Sequence, residues 1–191
     1  MSSSSESSLH HPILSQLPPE DVLDSSRAAL DDLYSTAVLK NARATLVIGN
    51  PRTGKTELLK LAFDRLFNEH GKALPLYFSL RRDRLAPEKF CQDLLVSFLR
   101  QYLAFKNQNA DLVQRYELTE KDLPNLASSE DFSILSEILE GFESKVAASN
   151  FSALVRYVLG IPQRLAARSN HHLVVFLDEA QWVERVLPGE E

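Results

Sequence analysis

The chain has few of the residues that define several common classes of protein. It contains one cysteine, Cys91, among 191 residues, so a disulfide framework or a cysteine-rich metal site within one chain is excluded. No apolar run approaches the roughly 20 residues that a transmembrane helix needs. The first residues lack the basic and apolar segments of a signal peptide, so we expect a cytoplasmic protein without a membrane partner.

A strong excess of basic residues is also missing. Lys and Arg number 21 against 26 Asp and Glu, which gives a net charge of −5 and a pI of about 5.6. This balance does not support a broad nucleic-acid-binding surface, although it is compatible with a local basic patch. Hydrophobic residues make up 44% of the chain and charged residues 25%, as in ordinary globular domains with one core.

Glycine is scarce, at six residues, and two of the six bracket a single octet. The octet fits the phosphate-binding pattern G-x-x-x-x-G-K-[ST] and reads Gly49-Asn50-Pro51-Arg52-Thr53-Gly54-Lys55-Thr56. The apolar run 44–48 before it predicts a short buried strand, and the stretch 57–63 after it predicts a helix. Strand, loop and helix in this order are the context that a P-loop requires. The competing interpretation is a surface turn between a strand and a helix.

The residue types in the octet suit the binding of a nucleotide triphosphate. Glycine allows backbone N–H groups to approach the phosphates closely, and the helix that begins near Gly54 directs its positive end at them. Lys55 would reach the β- and γ-phosphates, and the Thr56 hydroxyl would bind Mg²⁺. Because Pro51 has no N–H, we expect the donors to lie mainly between Arg52 and Glu57.

A second candidate site follows the apolar run 173–177, which ends in Asp178 and Glu179. Five consecutive apolar residues predict a central strand buried on both faces. Carboxylates at the carboxyl end of a parallel strand lie where open α/β sheets bind ligands. We therefore predict that Asp178 holds the Mg²⁺ shell, usually through water, and that Glu179 polarises the water that attacks the γ-phosphate.

The remaining segments predict a mainly helical domain. A Ser-rich tail over 1–16 is expected to be disordered, a P-loop domain to occupy 17–187 and a terminal tail 188–191. Apolar residues at helical spacing predict helices from Pro18 to about Lys40 and over 57–70, 87–105, 132–146 and 151–168, the last interrupted at Gly160 and Pro162. A second strand is predicted over 75–80, and 106–128 are predicted to be mostly irregular. Cys91 is interpreted as a small helix residue.

The two motifs together resemble the additional-strand, catalytic-glutamate division of P-loop ATPases, and within it the AAA+ and STAND-type ATPases, particularly the archaeal-type group. The resemblance rests on the residues 49–59 and on Leu177-Asp178-Glu179-Ala180-Gln181-Trp182. It implies an α/β fold of three α/β/α layers, with a mainly parallel sheet and a helical insertion before the Walker B strand, which here is the strand predicted over 173–177. It also implies ATP and Mg²⁺ as ligands, catalytic roles for Lys55 and Glu179, and metal-site roles for Thr56 and Asp178.

The chain departs from this family after the second motif. Related ATPases have further strands, one of which carries a sensor residue and lies between the P-loop strand and the Asp-Glu strand. They also have an arginine finger and a helical lid, whereas nine residues follow Trp182 here (191 − 182 = 9). We therefore expect a truncated module with an incomplete sheet, unpaired edges and exposed apolar surface, which would be prone to association.

Several functions remain open from the sequence. The first is Mg²⁺-dependent ATP hydrolysis coupled to an unknown protein partner or a missing domain. The second is a regulatory switch, in which ATP would change self-assembly more than turnover. The third is a DNA-associated helper ATPase, supported by Arg81, Arg82 and Arg84, a cluster that also suits a solvated loop. The chain is also compatible with a fragment that binds ATP without hydrolysing it.

Overall fold

The computed structural model describes residues 24–39, 44–50, 52–80 and 86–182. The helices and strands within these residues are α1 (Asp24–Leu39), α2 (Lys55–Glu69), β1 (Ala73–Ser79), α3 (Pro87–Lys106), α4 (Ser129–Ala147), α5 (Phe151–Leu159), α6 (Ile161–Arg168) and β2 (His172–Asp178). Short 3₁₀ helices lie at Ala110–Gln114, Leu123–Leu126 and Ala180–Trp182. The Ser-rich tail, Pro51, the arginine cluster and the terminal tail lie outside the described residues.

The two strands form a parallel pair, which confirms the prediction of an α/β fold with parallel strands. The register aligns Ala73 with His172 and Ser79 with Asp178. The His172 N–H donates to the Lys72 carbonyl oxygen at 3.0 Å, and the Leu80 N–H donates to the Asp178 carbonyl oxygen at 3.0 Å. Because backbone groups alternate in direction along a strand, the N–H and carbonyl groups of the even-numbered residues of β2 point toward β1. Those of the odd-numbered residues point away from it.

Helices pack on both faces of the strand pair. On one face Phe78 packs edge-on against the rings of Phe90 and Phe98 in α3. On the opposite face Asp178 is joined by a hydrogen bond to Thr56 at the start of α2. The described part of the molecule therefore has a helix–sheet–helix arrangement around a very narrow sheet.

Helix α3 is the centre of the hydrophobic core. All eight residues from 98 to 105 are buried, so this stretch has no solvent-facing side. One side packs on β1, and the other packs against α5 and the 3₁₀ helices. The helix begins at Pro87, where proline is tolerated because the first N–H groups of a helix have no partner within it. None of the described helices is both long and apolar enough to cross a membrane.

Two features of the predicted sheet are wrong. Residues 44–48 are not a strand, and Leu46 and Ile48 are 77% and 83% exposed, because no described strand pairs with this segment. The strand predicted from the apolar run 173–177 was expected to be buried on both faces, yet Val175 and Leu177 are each 42% exposed. An apolar run indicates where a strand can form, but it does not supply the neighbour that would bury it.

The helical predictions agree more closely with the structure. The predicted break between the last two helices is present, with α5 ending at Leu159 and α6 beginning at Ile161. Helix α4 begins after Ser128, whose side chain accepts a hydrogen bond from the Asp131 N–H at 3.2 Å. The first helix is described from Asp24 onwards, and its predicted start at Pro18 lies outside the described residues.

The outer edge of β1 is closed by a side chain. The Tyr77 N–H donates to Gln101 Oε1 at 2.7 Å, and Gln101 Nε2 donates to the Tyr77 carbonyl oxygen at 2.8 Å. Pro75 has no N–H and occupies a position of the same orientation, so it leaves no donor unpaired at this edge. On the outer side of β2, the backbone groups of Leu173, Val175 and Leu177 meet no strand among the described residues.

Candidate functional site

The glycine-bracketed loop leads directly into α2. Gly54 has φ of 85°, in the left-handed region, and α2 begins at the next residue without a side-chain cap. Arg52 also has a positive φ, 64°, and is exposed. No side chain therefore caps the N–H groups at the start of α2, and the positive end of the helix dipole lies with them.

The described atoms of the loop make close contacts with one another. Thr53 Oγ1 donates to the Asn50 carbonyl oxygen at 2.8 Å. A Cβ atom at position 49 would lie 3.0 Å from Thr53 Oγ1, so a larger residue than Gly49 would require the Thr53 side chain to shift by a few tenths of an ångström. Asn50 is exposed, and its carbonyl oxygen rather than its side chain forms the contacts within the loop.

The Lys55 ammonium lies against the loop that precedes it. Its Nζ donates to the carbonyl oxygens of Gly49 at 2.8 Å and Asn50 at 2.7 Å. The side chain therefore turns back over the loop instead of extending into solvent. A phosphate group bound in the loop would offer this ammonium stronger, charged acceptors.

Thr56 and Asp178 are 122 residues apart in the chain and are in direct contact. Thr56 Oγ1 donates to Asp178 Oδ2 at 2.9 Å. Asp178 is the last residue of β2 and is only 8% exposed. The structure thus brings together the two residues that the sequence predicted to share a metal site.

Tyr77 joins the same carboxylate. Its Oη donates to Asp178 Oδ2 at 2.9 Å, while the Glu179 N–H donates to Asp178 Oδ1 at 2.9 Å. Burial raises the pKa of Tyr77, and the negative charge of Asp178 raises it further, so the phenol remains a proton donor. Three donors from three segments therefore hold a nearly buried carboxylate in one orientation.

Glu179 has an unusual backbone conformation at the end of the strand. Its φ of 56° lies in the left-handed region, which costs a non-glycine residue roughly 1–2 kcal/mol. The side chain is exposed, and Gln181 Nε2 donates to Glu179 Oε2 at 2.5 Å. The turn directs the chain away from the strand immediately after Asp178 and leaves the second carboxylate in contact with solvent.

Glu57 lies in the first turn of α2, where a negative side chain interacts favourably with the positive end of the helix dipole. Lys60 Nζ forms an ion pair with Glu57 Oε1 at 3.1 Å, and Lys60 is itself 6% exposed. The predicted contribution of position 57 to the loop is its backbone N–H, whereas its side chain is engaged within the helix. Pro51, the remaining predicted loop residue, lies outside the described residues.

A magnesium ion is compatible with the residues present. Thr56 donates its proton to Asp178, so the lone pairs of the Thr56 hydroxyl oxygen are available for a cation. Asp178 Oδ2 already accepts two hydrogen bonds, which suits an outer-shell role through Thr56 or water. Within the described residues there is no group of three or more His, Cys, Asp or Glu side chains that could hold a metal alone. Mg²⁺ ordinarily needs few protein ligands, because waters and phosphate oxygens complete its shell.

Sequence reasoning missed Tyr77 as a member of this cluster. Its signal was available in principle, since alternation places Tyr77 and Ser79 on the same face of a predicted strand. The decisive information is the pairing of β1 with β2, which the sequence alone did not provide. Cys91, by contrast, is buried in α3, and burial raises its thiol pKa to about 11, in agreement with a packing role.

Comparison with known proteins gives no further assignment. No protein-family model, no curated protein and no solved structure matches the chain significantly.

Proposed function

We propose that the chain binds Mg²⁺-ATP at the loop before α2 and hydrolyses it. The observation that carries the proposal is the 2.9 Å hydrogen bond between Thr56 Oγ1 and Asp178 Oδ2. It joins the end of a phosphate-binding loop pattern to the carboxylate at the end of a parallel strand. Proximity of this kind is what a P-loop ATPase requires, and a chance surface turn would have no reason to produce it.

In this proposal the loop binds the phosphates through two kinds of group, backbone N–H groups and the Lys55 ammonium. The uncapped N–H groups at the start of α2 and the left-handed Gly54 supply a backbone anion site. Lys55 releases the carbonyl oxygens of Gly49 and Asn50 and pairs with the β- and γ-phosphates. Because those carbonyls are neutral acceptors, the exchange for charged phosphate oxygens is favourable.

Thr56 and Asp178 would hold the metal side of the site. Bound Mg²⁺ would neutralise charge that develops on the phosphate oxygens. Tyr77 and Thr56 fix the Asp178 carboxylate, so its orientation does not depend on the ligand. Glu179 would accept the proton of the attacking water, a role suited to its exposed carboxylate next to the buried one.

Isothermal titration calorimetry with Mg²⁺-ATP tests the binding part of the proposal. We expect Lys55→Ala to weaken binding about tenfold or more, because a charge-assisted contact contributes roughly 1.5–3 kcal/mol. Lys121→Ala is the matched control, since Lys121 is an exposed lysine in the segment before α4. Equal affinities of the parent and Lys55→Ala, or no binding by the folded parent, would refute the proposal.

Hydrolysis is tested separately with Glu179→Gln. We expect this variant to bind Mg²⁺-ATP like the parent and to lose measurable phosphate release, because an amide cannot accept the proton. Glu143→Gln, at an exposed position on α4, serves as the control and should retain activity. Hydrolysis by Glu179→Gln at the parent rate would assign the base to another group.

A further inference from the structure

A second candidate binding site lies on the three helices before β2. A groove of about 390 Å³ is lined by one cationic side chain from each helix: Lys145 of α4, Arg156 of α5 and Arg164 of α6. The same groove contains Asn150 and Ser152 at the start of α5. None of these residues belongs to the loop before α2 or to the Asp178 cluster.

The three cations of the groove have no acidic partner among the described residues. The ion pair found between these helices uses another basic side chain, Arg168, which binds Glu137 at 2.8 Å and lies one turn after Arg164 on the same helix. No Asp or Glu lines the groove, although the chain as a whole carries an excess of acidic residues. Three positive charges that line one groove without a counter-ion repel one another, so the arrangement favours the binding of an anion between them.

Arg164 is held in place by contacts with α5. Its Nη1 donates to the Tyr157 carbonyl oxygen at 2.7 Å, and its guanidinium lies 4.1 Å from the centre of the Tyr157 ring. The Tyr157 hydroxyl in turn donates to the Ile138 carbonyl oxygen of α4 at 2.9 Å. The guanidinium therefore has a defined position and retains further N–H donors for a ligand.

The uncharged polar side chains of the groove also supply donors. Asn150 Oδ1 accepts a hydrogen bond from the Ala153 N–H at 3.0 Å, which leaves the Asn150 amide NH₂ as a donor. Ser152 is exposed and carries a hydroxyl that can donate. A groove with three cations, these donors and no carboxylate selects for anions.

We propose that this groove binds the phosphate group of a small phosphorylated ligand. Guanidinium groups match phosphate oxygens with paired hydrogen bonds, and three cations balance a doubly charged group better than a single carboxylate. The volume lies within the range of small-molecule sites, which favours a compact ligand over a long polymer. The site is independent of the proposed ATP site, because the two share no residue.

Titration with inorganic pyrophosphate tests this proposal in the full chain carrying Lys55→Ala, which weakens phosphate binding at the loop. Binding is followed by calorimetry and by amide chemical shifts of Ser152 and Arg156. We expect Lys145→Gln combined with Arg156→Gln to reduce pyrophosphate affinity at least tenfold. Both side chains can be neutralised without removing the contacts that Arg164 makes with Tyr157. Lys121→Gln, which removes an exposed charge elsewhere, should change affinity less than twofold.

Two results would overturn the proposal. One is equal pyrophosphate affinity before and after the double substitution, with the shifts of Ser152 and Arg156 unchanged. The other is a groove that binds a single-stranded oligonucleotide without terminal phosphates but not pyrophosphate, which would make it a nucleic-acid surface. Thermal melting of each variant confirms that the fold is retained, and Arg156→Lys, which preserves the charge, should restore part of the affinity.

Discussion

The two outer edges of the strand pair differ in how they meet their surroundings. At the edge of β1, the buried side chain of Gln101 hydrogen-bonds both backbone groups of Tyr77, and Pro75 presents no donor. At the edge of β2, no described strand pairs with the outer backbone groups, and Val175 and Leu177 are each 42% exposed. A side chain of α3 therefore pairs with the outer edge of β1 at Tyr77. The outer backbone groups of β2, the strand that carries Asp178, have no partner strand among the described residues.

This contrast separates the requirements of stability from those of the candidate site. The closed edge belongs to the core around α3, where backbone polar groups need partners because water is absent. The open edge belongs to the strand that ends at Asp178. The carboxylate of Asp178 is held by hydrogen bonds from Thr56 and Tyr77, which do not lie at that edge. Asp178 can thus be held in one orientation although, among the described residues, its strand has a neighbouring strand on one side only.

The largest effect on stability is expected from truncating Leu76 of β1. The comparison is with Val175 of β2, which is aligned with Leu76 in the register of the two strands. Leu76 is fully buried, so Leu76→Ala should lower the free energy of unfolding by about 2–5 kcal/mol. Val175 is 42% exposed, so Val175→Ala should cost about 1 kcal/mol or less. Urea denaturation measures both, and losses of equal size would mean that the face of β2 that carries Val175 is covered in solution.

A somewhat smaller effect is expected from opening the closed edge. Gln101→Leu keeps the approximate size of the side chain but leaves the Tyr77 N–H and carbonyl unpaired in the core, at a cost of about 2–4 kcal/mol. Hydrogen exchange at the Tyr77 amide should accelerate accordingly. Gln163→Leu, at an exposed position of α6, is the control and should change stability by about 0.5 kcal/mol or less. Similar losses for the two variants would show that the edge is closed by something other than Gln101.

The smallest effect on stability is expected at the open edge, where the readout is association. Val175→Lys should change the free energy of unfolding little but reduce concentration-dependent association of the chain, because an edge lysine opposes strand addition. Leu159→Lys removes another exposed apolar side chain, 50% exposed on α5, and should leave association unchanged. Sedimentation velocity distinguishes the two. A parent chain that stays monomeric at high concentration would contradict the expectation that the β2 edge promotes association. Equal effects of the two lysine substitutions on association would contradict it as well.

The sequence predicted the elements of this fold better than their neighbours. Periodic apolar residues were sufficient for the helices and for both strands of the sheet, because each pattern is local. The segment 44–48 has the same kind of apolar pattern, yet Leu46 and Ile48 are largely exposed in the absence of a described partner strand. Pairing between strands depends on contacts between distant segments, and these cannot be read from one run of residues.

The candidate site shows the same limit. The loop pattern and the acidic end of β2 indicated Thr56 and Asp178 separately, and the residue types alone suggested that they belong together. Gln101 carried no such signal, since a glutamine in a helix is an ordinary residue. Alternation placed Tyr77 on the same face as Ser79, but it did not indicate that this face meets Asp178. Their roles arise from the apposition of β1 with β2 and α3, a property of tertiary packing.

Pro75 has one further consequence, for the stoichiometry of any contact between chains. Because Pro75 has no N–H and Gln101 pairs with both backbone groups of Tyr77, strand addition beside β1 is less favourable than strand addition beside β2. Two chains that met through their β2 edges would each use the more favourable edge, and a third chain would have only a β1 edge to join. Edge-to-edge contact would then favour a closed pair with a single axis of symmetry over a longer row of strands from many chains.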